Sequence, residues 1–184
     1  NPRAGSIRKK GDTITIYESI GGNYYYLEDY LNKAYQEVKA KLELLEIIEN
    51  IAPVDLAEEW DNCGMQIDLQ PEKIEKILVC LELSRAIIDE AVSKGVDFII
   101  THHPLYFKGL RKVDSNDIIG NYTCSLIREN ISVYASHTSF DKANEGNNYY
   151  LAKLLKLNNI RNFEEINPDF IGVYGNLTEP LSLK

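Results

Sequence analysis

Thr13 to Glu18 alternate as T-I-T-I-Y-E, Gly21-Gly22-Asn23 spells a turn, and apolar positions resume over Tyr24 to Leu27. Successive side chains of a strand point to opposite faces, so this pattern predicts a β-hairpin, an element that alone would be marginal in water. From Leu27 the period lengthens. Leu27, Ala34, Lys41 and Ile48 fall seven apart, as do Leu31, Val38, Leu45 and Ala52, and Pro53, which has no N–H to donate, ends the run. Heptad spacing admits a short coiled coil, but Lys41 at a seam position favours an amphipathic helix laid on the domain.

Beyond Pro53 short apolar runs alternate with helical ones. Lys76 to Leu81, Val96 to Thr101 and Ile131 to Ser136 read as strands, and Ser84 to Lys94, Asn116 to Glu129 and Asn147 to Leu157 as helices, with Phe170 to Tyr174 as a further strand. Parallel strands need a crossover between them, and strands covered on both faces read as continuous apolar runs. The predicted fold is therefore α/β, a mostly parallel sheet flanked by helices. Residues 1–40 are expected to form a hairpin and helix appendage to an α/β domain over 41–184.

Composition narrows the class. The 184 residues are 44% hydrophobic and 26% charged, enough apolar material for a core. The longest apolar runs fall far short of the roughly 20 residues a membrane span needs. The polar, basic start does not read as a secretory signal, which makes the cytoplasm the expected location. Cys63, Cys80 and Cys124 are an odd number without C-x-x-C spacing, fitting reduced thiols packed as small core residues. A net charge of −8 speaks against a nucleic-acid partner, despite Arg3, Arg8, Lys9 and Lys10 near the start.

The candidate chemistry lies in two short segments. All three histidines sit in T-H-H-P at 101–104 and H-T-S-F-D at 137–141, each just past a predicted strand. Open α/β sheets bind ligands beyond the carboxyl ends of their strands, so the two segments can converge. Neutral imidazole donates a lone pair and carboxylate adds charge and can bridge ions, which makes His102, His103 and Asp141 a candidate divalent-metal site. A lone loop histidine is more often bonded to backbone, and Asp141 alone reads as a helix cap. The set of residues at two strand ends favours metal. His137 is open between ligand, orienting partner of Asp141 and proton carrier. Lys108 and Arg111 are candidates to meet an anion, with a solvated loop as the ordinary alternative. In W-D-N-C-G, at 60–64, Trp60 is expected in the core, with Asp61 and Asn62 in a local turn.

W-D-N-C-G, T-H-H-P-L-Y-F and H-T-S-F-D, in that order with strands and helices between, resemble the Nif-three-like family, dinuclear-metal proteins labelled GTP cyclohydrolase 1 type 2 homologs. The resemblance covers about Lys41 to Lys184. It implies a two-lobed α/β subunit in a toroidal hexamer, with two metal ions facing the interior. By that pattern His102 and His103 match metal ligands, Asp141 the bridging carboxylate, and His137 the histidine beside it. Glu82, Ser139 and Phe140 depart mildly from the family's usual residues. The family completes its site with a later histidine and a glutamate four residues beyond it. No histidine follows His137, so the site is expected to be incomplete in this chain.

The function these features imply is a metal-dependent hydrolase for a small, nucleotide-like substrate, GTP cyclohydrolase-like by family label, with His137 assisting proton transfer. The cofactor is expected to be two divalent ions of zinc, manganese, iron or nickel. The alternative is a non-catalytic metal-binding scaffold or regulatory interaction protein. Residues 8–29 faintly resemble the last knuckle of a zinc ribbon but hold no cysteine, so no zinc is expected there.

Overall fold

The computed structural model describes residues 15–18, 41–69, 74–163 and 171–182. Five strands form one sheet: β1 (Thr15–Glu18), β2 (Gly64–Ile67), β3 (Lys76–Cys80), β4 (Phe98–Thr101) and β5 (Ser132–Ala135), in the spatial order β1-β3-β4-β5-β2. β1, β3, β4 and β5 run parallel, while β2 closes one edge antiparallel to β5. A separate antiparallel pair joins β6 (Asn158–Asn162) to β7 (Val173–Asn176). The described helices are α1 (Lys41–Ile51), α2 (Arg85–Lys94), α3 (Ile118–Arg128), the short α4 (Thr138–Lys142) and α5 (Asn147–Leu154).

The central strands are mostly apolar because both sheet faces are covered. Leu78, Ile99 and Val133 point to one face and pack with Ile87, Ile88 and Ala91 of α2 and Leu126 of α3. Their neighbours Ile77, Phe98, Ile100 and Tyr134 point to the other and pack with Leu44 and Ile48 of α1. Burying one such aliphatic side chain stabilises by roughly 1.5–3 kcal/mol, and the two layers fix the heights at which the strands end. Helix ends are set locally. The Ser84 hydroxyl accepts the Ile87 N–H at 3.3 Å, and Gly95 takes the left-handed conformation (φ 61°) that terminates α2. At α3 the Asp117 carboxylate accepts the Gly120 N–H at 2.6 Å.

The α/β alternation after Pro53 is as the pattern predicts. Described residues of the heptad segment form an amphipathic helix on the sheet, with Leu44, Ile48 and Ala52 buried. Heptad positions before Lys41 lie outside the described residues. β1 is the first strand of the predicted hairpin, and it pairs in parallel with β3 as an edge of the main sheet. The hairpin's turn and its second strand lie outside the described residues. The strand β2 escapes the hydrophobic pattern because it is four residues long and half-buried at Met65 and Gln66. The last predicted helix is shorter than expected, since α5 stops at Leu154 and β6 begins at Asn158. No described helix is long and apolar enough to cross a membrane.

Candidate metal centre

Three neighbouring strands end side by side and deliver the polar residues. Cys80 of β3 pairs with Thr101 of β4, and Thr101 pairs with Ala135 of β5. Glu82, His102 with His103, and His137 therefore leave the sheet at the same end. The backbone fixes the turn after β4: the His102 N–H donates to Cys80 and Leu81 carbonyls, and the His103 N–H to Leu81 at 2.8 Å. His137 leads into α4, which is seated by Phe140 and Ala143 packing against Ala52.

His102, His103 and His137 each offer a ligand atom within 4.8 Å of the others, with ring centroids 5.0–5.4 Å apart. Every Nδ1 already has a partner. That of His102 faces the Ser136 carbonyl at 3.1 Å, that of His103 a Glu82 carboxylate oxygen at 3.3 Å, and that of His137 the Asp61 carboxylate at 3.0 Å. A carbonyl or ionised carboxylate can only accept, so each Nδ1 carries a proton, and in the neutral tautomer this fixes, Nε2 holds the lone pair. This is the arrangement in which histidine serves a metal. Burial pushes the His102 pKa down; the Asp141 carboxylate opposes that shift, and the two other histidines add to it. His102 is thereby held neutral, the form that donates to a cation.

Asp141 lies beside the cluster, its Oδ2 3.8 Å from His102 Nε2 and its Oδ1 accepting the Asn147 side-chain amide at 3.0 Å. The structure thus brings His102, His103, Asp141 and His137 together. The His137 ring centroid is 5.0 Å from that of His102 and 5.4 Å from that of His103. Lys108 and Arg111 are exposed on the segment between β4 and α3, and among the described residues neither is paired with the histidines.

W-D-N-C-G corrects one expectation and extends another. Trp60 is 58% exposed instead of buried in the core. Asp61 does accept its neighbour's N–H, but its side chain is fully buried and reaches across the fold to His137 and Thr138. Burial alone would raise the Asp61 carboxyl; hydrogen bonds from the Thr138 hydroxyl, His137, Cys63 and the Thr138 N–H outweigh it and hold the group below the ordinary carboxylate range. Asn62 keeps its N–H in that turn and adds a side-chain bond to the Tyr106 carbonyl at 2.6 Å. No local pattern marks Asp61, since its partners stand 76 and 77 residues along the chain. Cys63 is also part of the site wall, donating to Asp61 at 3.1 Å, whereas Cys80 is a buried core thiol as expected.

The family model described as Duf34/NIF3 (NGG1p interacting factor 3) matches residues 40–184. A Clostridium perfringens protein named GTP cyclohydrolase 1 type 2 homolog is 36% identical over 116 residues, covering 63% of this chain and 44% of the relative. The crystal structure of a Bacillus cereus protein related to NIF3 superposes with a TM-score of 0.64 at 32% identity, over 68% of this chain and 35% of that one. Reduced HcgD from Methanocaldococcus jannaschii superposes with a TM-score of 0.62 at 38% identity, over 68% of this chain and 50% of that one. The chain spans less than half the length of the curated relative from Clostridium perfringens.

Proposed function

The chain belongs to the Duf34/NIF3 family, and from that premise we propose that it carries part of a divalent-metal centre serving hydrolysis of a small, nucleotide-like substrate. One observation carries the reading: three imidazoles each set Nδ1 against a separate acceptor and each offer a ligand nitrogen within one cluster. Three nitrogens with a carboxylate suit zinc, manganese, iron or nickel. His102, His103 and Asp141 are the proposed ligands, and His137 is the proposed further nitrogen, orientated by Asp61. In the absence of a second cation, His137 is the group placed to take or return a proton.

A cation bound there supplies Lewis acidity and water activated near neutral pH. The remaining work belongs to side chains of this chain. Asp141 adds negative charge next to His102 and favours a cation over an anion at that point. Lys108 and Arg111, exposed on the neighbouring segment, are the proposed contacts for a substrate anion. A cytoplasmic homo-hexamer with the centres facing inwards is the assembly proposed from the family resemblance. A second ion would draw ligands from another chain or from elsewhere in a longer protein.

The test is metal content per chain, measured after reconstitution for the wild type, His103→Ala and Asp141→Ala, beside a hydrolase screen. At least one ion per wild-type chain, lost in both variants, is the expected result. A wild type that takes up no metal overturns the reading. Tightly held metal with no turnover of nucleotides, phosphoesters or amides sets hydrolysis aside in favour of a metal-organised scaffold.

A further inference from the structure

Two large aromatic side chains stand exposed on the rim of the histidine cluster. Trp60 is 58% and Phe107 54% exposed, although both are apolar enough to belong in a core. Their ring centroids are 6.0 Å apart with planes tilted by 37°. Each also stands edge-on to His137, at 6.3 Å for Trp60 and 5.9 Å for Phe107. The two loops that carry them are tied together next to the rings. Asn62 donates to the Tyr106 carbonyl at 2.6 Å, and the Tyr106 N–H donates to Gln66 Oε1 at 3.1 Å. The backbone next to both rings is therefore anchored before any ligand arrives, which lowers the ordering cost of binding on them.

We propose that Trp60 and Phe107 form a stacking wall that binds the planar heteroaromatic ring of the substrate against the histidine centre. The inference rests on the metal-centre reading and adds the substrate class. Planar rings stack on aromatic faces whatever their hydrogen-bonding pattern, so such a wall selects flatness before identity. The short distance from the wall to His137 selects further. A ring lying on Trp60 and Phe107 reaches the cluster with one of its own atoms or a directly attached group, not with the end of a long tail. A nucleotide bound this way presents its base to the centre and leaves its phosphates outside.

Trp60 is the sole tryptophan in the chain, so its fluorescence reports on this wall alone. The zinc-loaded protein would be titrated with guanosine, nicotinate and benzoate, and with the non-planar controls ribose 5-phosphate and cyclohexanecarboxylate. Planar ligands are expected to quench Trp60 emission and the controls to leave it unchanged. Phe107→Leu should weaken binding of the planar ligands about tenfold, with the zinc content intact. Trp60→Leu, followed by calorimetry, should do the same. The wall is overturned if no planar ligand binds while zinc is retained, or if both variants bind as the wild type does. It is also overturned if emission shifts with protein concentration alone, which would show a second copy covering the rings. Loss of zinc from the wild type would instead count against the metal-centre reading.

Discussion

Asp61→Asn changes almost no volume and alters only which atoms accept hydrogen. The wild-type carboxylate accepts the Asn62 N–H at 2.8 Å and the His137 Nδ1–H at 3.0 Å on Oδ1. On Oδ2 it accepts the Thr138 N–H at 3.0 Å, the Cys63 thiol at 3.1 Å and the Thr138 hydroxyl. The hydroxyl and the thiol can turn away, but the two backbone N–H groups cannot, and they address opposite oxygens. Wherever asparagine places its NH2, a fixed donor meets a donor. Leaving the N–H of the buried Thr138 unsatisfied costs about 1–3 kcal/mol of stability, whereas water can satisfy the exposed Asn62 N–H. His137 Nδ1 lies 3.0 Å from Oδ1 and 3.1 Å from Oδ2, so either placement sets the NH2 against the Nδ1–H and weakens the contact that orients His137. Losing such an outer partner weakens metal binding about 10–100-fold, or about 1.4–2.8 kcal/mol. Zinc titration against a competing chelator reads the second quantity, and urea unfolding of the metal-free protein reads the first. Asp61→Asn that folds and binds zinc with the wild-type Kd would refute the role assigned to Asp61.

Two further outcomes follow from burial. Glu82 is 66% exposed and its contact to His103 spans 3.3 Å, so Glu82→Gln should change zinc affinity by less than about threefold, well under the Asp61→Asn effect in the same titration. The Cys80 thiol is pushed up to about 12 by burial first and by the Glu90 and Glu82 charges next. A raised thiol pKa stabilises the fold fully below the unfolded value of 9.0, and the contribution drains away as pH rises from there towards about 12. At pH 8 iodoacetamide should label Cys80 about a thousandfold more slowly in the folded protein than after unfolding, a ratio that peptide mass spectrometry measures. Equal labelling would show that Cys80 is not held in the core.

Much of the fold is legible before any coordinates. The runs K-I-L-V-C, F-I-I-T and S-V-Y-A announce strands buried on both faces, and Ser84, Gly95 and Asp117 mark helix ends through bonds made within a few residues. β2, β6 and the five-residue α4 are elements that periodicity does not reveal, because each is too short to show one. The candidate site divides along the same line. His102, His103, His137 and Asp141 announce themselves by residue type and by their place after strands. Asp61 and Asn62 read locally as a turn, which they form, but their contacts to His137, Thr138 and Tyr106 are not visible there, and Trp60 is exposed instead of in the core.

The sequence by itself determined which residues alternate, which helices cover the sheet and which turns carry imidazole and carboxylate, since these depend on near neighbours. The tertiary structure alone decided what stands opposite them. β2 runs antiparallel to β5 with Gly64 against Ala135, so the chain entering β2 passes beside the chain leaving β5. That register sets Asp61 against His137 and places Trp60 at the rim. A pairing made between two segments more than seventy residues apart leaves no periodic trace in either of them.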